Sequence, residues 1–218
     1  MPEMLEEILP GLFAFHPPRF GSNAYIFKGK QNCLIDTSSE QNIIAFRSAL
    51  AEISVAPESV SRVFFSHEHA DHFSGAKLFP KAEFFASAPC RKIINENMVE
   101  FTHAKIVGSK EKAFVQKTLS EGDTLKVNGF SLEVIATPGH ALGGLSFFEK
   151  KRRLLFSGDA LFEGCSGRVD LAGSDRQTMT ASLEKLARLD FETLLSGHGS
   201  AFNGNQKENI EAALRLLG

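Results

Sequence analysis

The amino-acid sequence predicts an α/β protein, in which short strands alternate with helices around a sizeable core. Two observations support this fold class. Short segments rich in aromatic and branched residues recur between turn residues, as in LFAF (12–15) and RVFF (62–65). Longer segments at 41–53, 178–189 and 205–218 place apolar residues at helical spacing. The chain of 218 residues is long enough to bury a large core.

The predicted strands are short, and most end at polar or turn residues. Three come in succession near the N-terminus, because LFAF, NAYIFK and NCLID are separated by Gly, Pro and Asn turns. Three more in the second half of the chain each end at a polar loop. The predicted strands are 12–15, 23–28, 32–36, 62–65, 82–86, 130–140, 145–150, 152–160 and 193–199.

The predicted helices lie between or after these strands. The first would bury Ile44, Leu50 and Ile53 on one face. The second ends at Pro80, because proline cannot continue a helix. The predicted helices are 41–53, 72–79, 178–189 and 205–218.

The segment 87–118 carries the weakest pattern. We predict a helical insert at about 87–118 within a single domain that spans 1–218. Its lysines could form a basic contact surface, but Glu96, Glu100 and Glu111 lie between them. This mixture of charges favours a solvated helical face. The sequence contains no internal repeat, low-complexity tract or linker that would divide the chain.

The composition argues against several classes of partner. A net charge of -2 gives no attraction to nucleic acid or to an anionic membrane, and no apolar stretch is long enough to cross a bilayer. The opening residues MPEMLEEILPGL lack the basic and apolar regions of a signal peptide. Three widely spaced cysteines suit a reducing cytoplasm better than a disulfide framework. We therefore expect a cytoplasmic protein with no nucleic-acid or membrane partner, and a homodimer stays open.

The segment SHEHADH (66–72) concentrates three histidines and two acids directly after a predicted strand. Residues two apart in extended backbone point to the same side, so His67 and His69 can bind one ion together. Asp71 and His72 follow where the chain turns into a helix, and they can face the same ion or a second one. Imidazole and carboxylate suit zinc, iron or manganese. The alternative is a charged helix start with Asp71 as N-cap, and the rarity of this spacing argues against it.

Three further polar residues lie in glycine-bearing turns at predicted strand ends. They are His140 in TPGHALGG, Asp159 in LFSGDALF and His198 in LSGHGS. Each alone is more typical of a turn residue than of a ligand. Together with the histidine cluster they place polar side chains at the ends of four strands, where a strand-supported site collects its residues. His16 and His103 lack this context, and we interpret both as surface or structural residues.

The motifs HEHADH, TPGH, SGDALF and SGHG, in this order, resemble the metallo-β-lactamase superfamily over nearly the whole chain. The resemblance implies a four-layer αββα sandwich, in which two β-sheets pack face to face with helices outside. It also implies two metal ions bound by a seven-ligand pattern. By that resemblance one ion is held by His67, His69 and His140, a second by Asp71, His72 and His198, and Asp159 bridges them.

Departures from the family's patterns select among its branches. Secreted β-lactamases of the group typically carry cysteine at the position of Asp159, and flavodiiron proteins carry glutamate at the position of His69. Nuclease members bring further domains, for which 218 residues leave little room. These departures argue against all three branches. The tract GDALFEGCSGRVDLAGSD is similar to the glyoxalase II and persulfide dioxygenase branch. Only twenty residues follow His198, so we expect the helical C-terminal domain of glyoxalase II to be absent. This departure argues against a glutathione thioester as substrate.

The resemblance implies a metal-dependent hydrolase of small thioesters or related esters, with a metal-bridging hydroxide as nucleophile. Asp71 and Asp159 are the candidate catalytic residues, since Asp159 would be shared by the ions and Asp71 would orient the hydroxide. The expected cofactors are two divalent ions, zinc before iron or manganese, and the expected partner is a small-molecule substrate. The main alternative is a persulfide dioxygenase with a single non-haem iron on His67, His140 and Asp159. A phosphodiesterase, a lactonase and a non-enzymatic binding protein rank lower.

Two residues are candidates for substrate binding. Arg168 could clamp a substrate carboxylate, and an ion pair with Asp170 or Asp175 is an equal alternative. Tyr25, the sole tyrosine, could reach the cleft, although a role in the strand core is favoured. Asp36 ends the predicted strand 32–36 and could hydrogen-bond a ligand histidine, and a role in the turn at the strand end is the alternative.

Overall fold

The computed structural model describes residues 4–110 and 112–218. Glu111 and the first three residues of the N-terminal segment therefore lie outside the described residues. Within them, the strands form one seven-stranded and one five-stranded sheet. No helix in the described ranges is long and apolar enough to cross a membrane.

The larger sheet is built by the first half of the chain. Its strands are β1 (Leu5–Leu9), β2 (Leu12–Phe15), β3 (Ala24–Phe27), β4 (Asn32–Ile35), β5 (Val60–Phe64), β6 (Glu83–Ser87) and β7 (Lys117–Leu119). They lie in chain order across the sheet. β1 to β4 pair antiparallel, and β4 to β7 pair parallel.

The smaller sheet follows in the second half. Its strands are β8 (Thr124–Val127), β9 (Phe130–Ala136), β10 (Leu145–Glu149), β11 (Leu154–Gly158) and β12 (Thr193–Ser196). β8 to β11 pair antiparallel, whereas β12 pairs parallel to β11. β9, β11 and β12 therefore run in the same direction, so their carboxyl ends lie at the same edge of the sheet.

The helices are α1 (Ile43–Glu52), α2 (Ala70–Phe73), α3 (Ala88–Asn95), α4 (Val99–Thr102), α5 (Arg176–Leu186) and α6 (Gln206–Leu217). Side-chain caps explain where three of them begin. Ser87 accepts from a backbone N–H of α3, Asp175 from one of α5, and Asn205 from two of α6. α3 and α4 lie in the range of the predicted helical insert, which remains a prediction, as does the single domain.

Alternating strand residues bury both faces of each sheet, which produces four layers. Tyr25, Phe27 and Phe156 belong to an apolar cluster between the two sheets. Ile26 points the other way, into a cluster that includes α1, and Leu155 packs in a third cluster with α5 and α6. The order of layers is helix, sheet, sheet, helix, which confirms the αββα sandwich.

The buried face predicted for the first helix is right at Leu50 but wrong at Ile44. Ile44 is 84% exposed, whereas Phe46, Ala49 and Leu50 are buried. Phe46 stacks on Phe15 of β2, with ring centroids 4.3 Å apart. Packing of this aromatic pair against the sheet selects the face, because the helix pattern alone was compatible with more than one rotation.

Other element boundaries also differ from the predictions. The helix expected at 72–79 is α2 followed by a 3-10 helix, Ser74–Leu78. The backbone N–H of Gly75 donates to Ser38 at 3.0 Å, and a Cβ on Gly75 would lie 2.1 Å from the Thr37 carbonyl oxygen. This close approach pulls the segment out of α-helical geometry. The strands β1, β7 and β8 were not predicted.

Candidate metal centre

The polar segment after β5 and the polar residues after β9, β11 and β12 meet at one edge of the sandwich. His67 and His69 lie between β5 and α2, and α2 itself carries Asp71 and His72. Each remaining residue follows a different strand of the smaller sheet. The side chains brought together are His67, His69, Asp71, His72, His140, Asp159 and His198.

Three groups of these side chains are close enough to share an ion: two coincide with the sets that the family resemblance implies, and the third, His67, His72 and Asp159, links them. Two triads each have their ligand atoms within 4.8 Å of one another, namely His67, His69 and His140, and Asp71, His72 and His198. Asp159 contacts both triads. Its Oδ2 lies 3.5 Å from His140 Nε2 and 3.4 Å from His198 Nε2. Asp159 therefore lies between the two triads of a histidine and carboxylate cluster.

Unpartnered buried atoms show that these residues fit divalent cations. Among the described residues, Nε2 of His67 and of His72 and Oδ1 of Asp159 are buried and have no hydrogen-bond partner. Oδ1 of Asp159 lies 3.3 Å from His72 Nε2 without the alignment of a hydrogen bond. An unsatisfied buried polar atom costs about 1–3 kcal/mol. A cation among these lone pairs would satisfy them, and the mixture of imidazole and carboxylate suits zinc, iron or manganese.

The charges of the cluster are arranged as ligands require. Burial lowers the pKa of His67 and of His69 well below the usual range, so both keep lone pairs at neutral pH. Burial opposes ionisation of Asp159, but His72 and His198 outweigh it and hold the pKa of that carboxyl well below its usual range. Burial also opposes the protonation of His198, yet Asp159 and Asp71 raise its pKa to about 9. Because His198 is protonated at neutral pH, metal binding would displace a proton from it.

Hydrogen bonds on the outer side of the cluster orient two of the histidines. His72 Nδ1 donates to Asp36 Oδ2 at 2.8 Å, and Asp36 also accepts from the backbone N–H and the hydroxyl of Ser66. His140 Nδ1 donates to the carbonyl oxygen of Arg168 at 2.8 Å. Each bond fixes the tautomer that turns Nε2 towards the cluster. The contact predicted for Asp36 is thus present.

Two glycines allow the loops of the smaller sheet to reach the cluster. A Cβ on Gly197 would lie 2.1 Å from Asp159 Oδ1 and 2.7 Å from His72 Cε1. A Cβ on Gly167 would lie 2.2 Å from the Asp159 carbonyl oxygen and 2.8 Å from His140 Nδ1. Only a residue without a side chain permits these backbone approaches.

The structure places the two substrate-binding candidates differently. Tyr25 lies in the core between the sheets, and its hydroxyl donates to the Ser196 carbonyl oxygen at 2.6 Å. The structure agrees with the favoured core role of Tyr25 and corrects the alternative that it reaches the cleft, because the inward face of β3 directs its ring under the site. Arg168 lines the cleft beside the cluster and forms two 2.9 Å hydrogen bonds with Asp170. Both roles considered for Arg168 thus stay compatible with its position.

A cleft of about 450 Å³ opens beside the metal-ligand cluster. We call it the apolar cleft, since its walls beyond the ligands are mainly Phe20, Ile106, Val107, Phe162 and Leu171. Nothing in the sequence marks these residues as part of a site, because isolated apolar side chains in loops carry no pattern.

His103 also lines the apolar cleft, and its interpretation as a surface or structural residue missed this position. Its ring lies 4.6 Å from that of His69, centroid to centroid. His103 follows α4 in left-handed conformation, with φ 50°. No local motif surrounds it, so only the tertiary structure brings it to the site.

Comparisons with known proteins agree with this geometry. The model of the Metallo-beta-lactamase superfamily matches residues 17–198. Hydroxyacylglutathione hydrolase GloC of Haemophilus influenzae is 26% identical over 183 residues, which cover 78% of this chain and 86% of that protein. A hydroxyacylglutathione hydrolase of Idiomarina loihiensis is 36% identical over 136 residues, or 62% of this chain. The match spans 46% of the Idiomarina protein, less than half its length.

A solved structure supports the same fold. A metallo-beta-lactamase family protein from Thermus thermophilus superposes with a TM-score of 0.81 at 24% identity. The superposition covers 96% of this chain and 80% of that protein. At this identity the likeness concerns the fold alone.

Proposed function

The chain belongs to the metallo-beta-lactamase superfamily, and on that premise we propose that it is a metal-dependent hydrolase of small thioesters or related esters. One observation carries the proposal: two ligand triads share contacts with Asp159 at the base of a cleft. The hydrolases of Haemophilus and Idiomarina support the same reaction class.

The proposed roles follow from the positions of the side chains. His67, His69 and His140 would hold one ion, Asp71, His72 and His198 the other, and Asp159 both. When bound, two divalent cations lower the pKa of water towards neutrality and balance the negative charge that develops on an attacked carbonyl. Asp71 stays ionised, because His72 and His198 outweigh its burial and lower its pKa. Its carboxylate can therefore accept a hydrogen bond from the attacking water and orient it.

Zinc is the preferred metal, since histidine and carboxylate donors around an open cleft match catalytic zinc sites. Iron and manganese accept the same donors and are the alternatives. Arg168 stands at the mouth of the cleft, where it could exchange its pairing with Asp170 for a substrate carboxylate.

One observation favours a second candidate. His140 Nε2 lies 3.5 Å from Asp159 Oδ2, and the rings of His67 and His140 have centroids 5.2 Å apart. Two histidines and one carboxylate are the donors of mononuclear non-haem iron oxygenases. A single iron at these three residues would support oxygen chemistry, and the resemblance of the tract after Asp159 to persulfide dioxygenases makes a persulfide the proposed substrate of this alternative.

Metal removal and reconstitution test the proposal. Chelation should abolish hydrolysis of a small thioester, and added zinc, manganese or iron should restore it. Metal content should be measured on the same samples, with circular dichroism to confirm that the fold persists. Two zinc ions per chain support the hydrolase, and one iron with oxygen uptake on a persulfide supports the dioxygenase. Full thioesterase activity with metal content near zero contradicts both metal-dependent functions.

A further inference from the structure

The apolar cleft combines exposed apolar surface with a catalytic cluster at its base. Phe20 is 60% and Ile106 is 71% exposed, two of the few large apolar side chains that the described residues leave in solvent. Phe20 and Phe162 flank the ligand His198, with ring centroids 6.2 and 6.1 Å from its ring. Scattered exposed apolar residues are normal, but a cluster that walls a site marks a surface that a ligand covers.

The charges of the apolar cleft argue against an anionic group in it. Arg168 is the only lysine or arginine among the described residues that line it, and Asp170 holds that guanidinium through two hydrogen bonds. A glutathione moiety carries two carboxylates and one ammonium, so its net negative charge would meet, among these described residues, only an arginine that is already paired. The apolar cleft is therefore suited to an uncharged group.

A second, polar cavity meets the apolar cleft at His198. This polar cavity has about 540 Å³ and is lined by Glu6, His16, Arg19, Asn23, His198 and Ser200, among others. His198 lines both spaces. A substrate bond attacked at the metal-ligand cluster has two substituents, and the two spaces offer each substituent a different environment.

We propose that the enzyme selects thioesters that join an apolar acyl group to a polar thiol. This inference rests on the proposed hydrolase function. The acyl group occupies the apolar cleft, and the thiol portion extends into the polar cavity. In the reaction the water oxygen forms a bond to the acyl carbon and the carbon–sulfur bond breaks. The products are the carboxylate of an apolar acid, the free thiol and one proton.

A chain-length series tests the acyl selectivity on the zinc-loaded enzyme. The substrates are N-acetylcysteamine thioesters of acetic, butanoic, hexanoic and octanoic acids. We expect kcat/KM to rise about two- to fourfold for each added methylene that the apolar cleft buries. Ile106→Ser should flatten this dependence. Ile44→Ser is the matched control, since Ile44 is an exposed isoleucine on α1, away from the cleft, and it should leave the dependence intact.

The inference would be overturned if kcat/KM did not depend on acyl length, or if it depended on acyl length equally in Ile106→Ser and Ile44→Ser. It would also be overturned if kcat/KM rose only when the thiol portion, and not the acyl group, was lengthened. Calorimetric binding of octanoate and acetate separates the inference from the proposed function. Octanoate should bind more tightly, and Ile106→Ser should remove the difference. If octanoate binds in this way but no thioester is cleaved, the hydrolase proposal fails and the apolar specificity stands.

A separate observation concerns His103 and the ligand His69. Nδ1 of His69 faces the cluster, 2.9 Å from His140 Nε2, while its Nε2 is buried without a hydrogen-bond partner in the described chain. His103 Nε2 is buried and unpartnered as well, and the two rings are in edge-to-face contact. Because Nε2 of His103 has no partner, we assign the proton of this ring to Nδ1.

These tautomers are complementary. A metal bound at Nδ1 leaves the proton of His69 on Nε2, and a ligand histidine normally donates that proton to a neighbouring acceptor. With its own proton on Nδ1, His103 presents a lone pair at Nε2. We infer that His103 is a positioning residue: the two Nε2 atoms are not hydrogen-bonded in this structure, and with a metal bound His103 accepts this hydrogen bond and orients His69 towards the metal.

Metal affinity, measured by competition with a chromophoric chelator, tests the role of His103. His103→Asn tolerates the left-handed backbone but is too short to reach His69, so it should weaken binding about 10–100-fold. His103→Gln, which carries an acceptor oxygen, should recover most of the loss. Asn97→Gln is the control, because Asn97 is another left-handed residue that follows a helix and it lines neither the apolar cleft nor the polar cavity. Wild-type affinity in His103→Asn, or equal loss in the Asn and Gln variants, would overturn the inference.

Discussion

The two halves of the metal-ligand cluster are built in different ways. The larger sheet supplies its ligands from a single seven-residue segment, 66–72, at the end of β5. The smaller sheet supplies one ligand from each of three loops, which place His140, Asp159 and His198. The first half is local in sequence, whereas the second exists only when β9, β11 and β12 are aligned.

The supports of the two halves differ as well. Side-chain hydrogen bonds to Asp36 hold His72 on the side of the larger sheet. On the side of the smaller sheet, backbone contacts dominate, with the Arg168 carbonyl on His140 and Gly197 against Asp159. Metal binding by the first half should therefore weaken when a supporting polar side chain is changed. Metal binding by the second half should weaken when a Cβ is added to a closely packed glycine.

The largest expected effect comes from removing one ligand of each half. His72→Ala and His140→Ala should each lose about one metal per chain, and turnover should fall by two or more powers of ten, because the two-ion activation of water is lost. Metal analysis and steady-state kinetics check both variants. A His72→Ala protein with full metal and most activity, beside an inactive His140→Ala protein, would favour the single-iron alternative.

The next effect tests the backbone support. In Gly197→Ala the added Cβ overlaps Asp159 Oδ1, which it would approach to 2.1 Å. We expect metal affinity to fall about 10–100-fold, the range that overpacking and misplaced ligands produce. Gly122→Ala is the control, since its Cβ meets nothing within 4 Å. It should lower stability but spare metal binding, and equal affinities in the two variants would contradict the role of Gly197.

The side-chain support gives a smaller effect. Asp36→Asn keeps the shape of the side chain but removes the charge that His72 and Ser66 contact. Metal affinity should fall about tenfold, the lower end of the range for such partners. Asp123→Asn, at a turn where Asp123 accepts from Ser120, should leave affinity unchanged. An unaltered affinity in Asp36→Asn would show that geometry alone holds His72.

A core contact that joins the two sheets should affect stability without affecting catalysis. Tyr25→Phe removes the hydroxyl group of β3 that donates a hydrogen bond to the carbonyl oxygen of Ser196, at the end of β12. The expected loss is about 0.5–1.5 kcal/mol of the free energy of unfolding. Urea unfolding of the metal-loaded protein measures it. If kcat/KM falls while stability does not, Tyr25 contacts the substrate after all.

The smallest effect is expected at Arg168, which is exposed and already paired with Asp170. Arg168→Ala should weaken anionic substrates by less than about fivefold and spare neutral ones, as for an exposed charge pair. Asp170→Ala should act in the opposite direction, because it frees the guanidinium. Kinetics with matched anionic and neutral thioesters compare the two, and equal losses for both substrate classes would assign Arg168 a structural role.

Much of the architecture was predictable because its signals are local. The β5 segment RVFF, the β10 segment LSFFEK and the last helix carry strand or helix periodicity within a few residues. The strands β1, β7 and β8 were missed. β1 and β8 carry acids or lysines among their apolar residues, and β7 is three residues long. Pairing with a neighbouring strand defines such segments, and pairing is not visible in a short window of sequence.

By itself, the sequence determined the α/β class, the motif at 66–72 and the polar residues at strand ends, because residue type and short spacing are local properties. Only the tertiary structure decided which side chains meet. It brought His103 beside His69, buried Tyr25 beneath the site and turned Ile44 to solvent. The physical reason is that each outcome depends on contacts between segments far apart in the chain, whose energies arise only when the two sheets and their helices pack together.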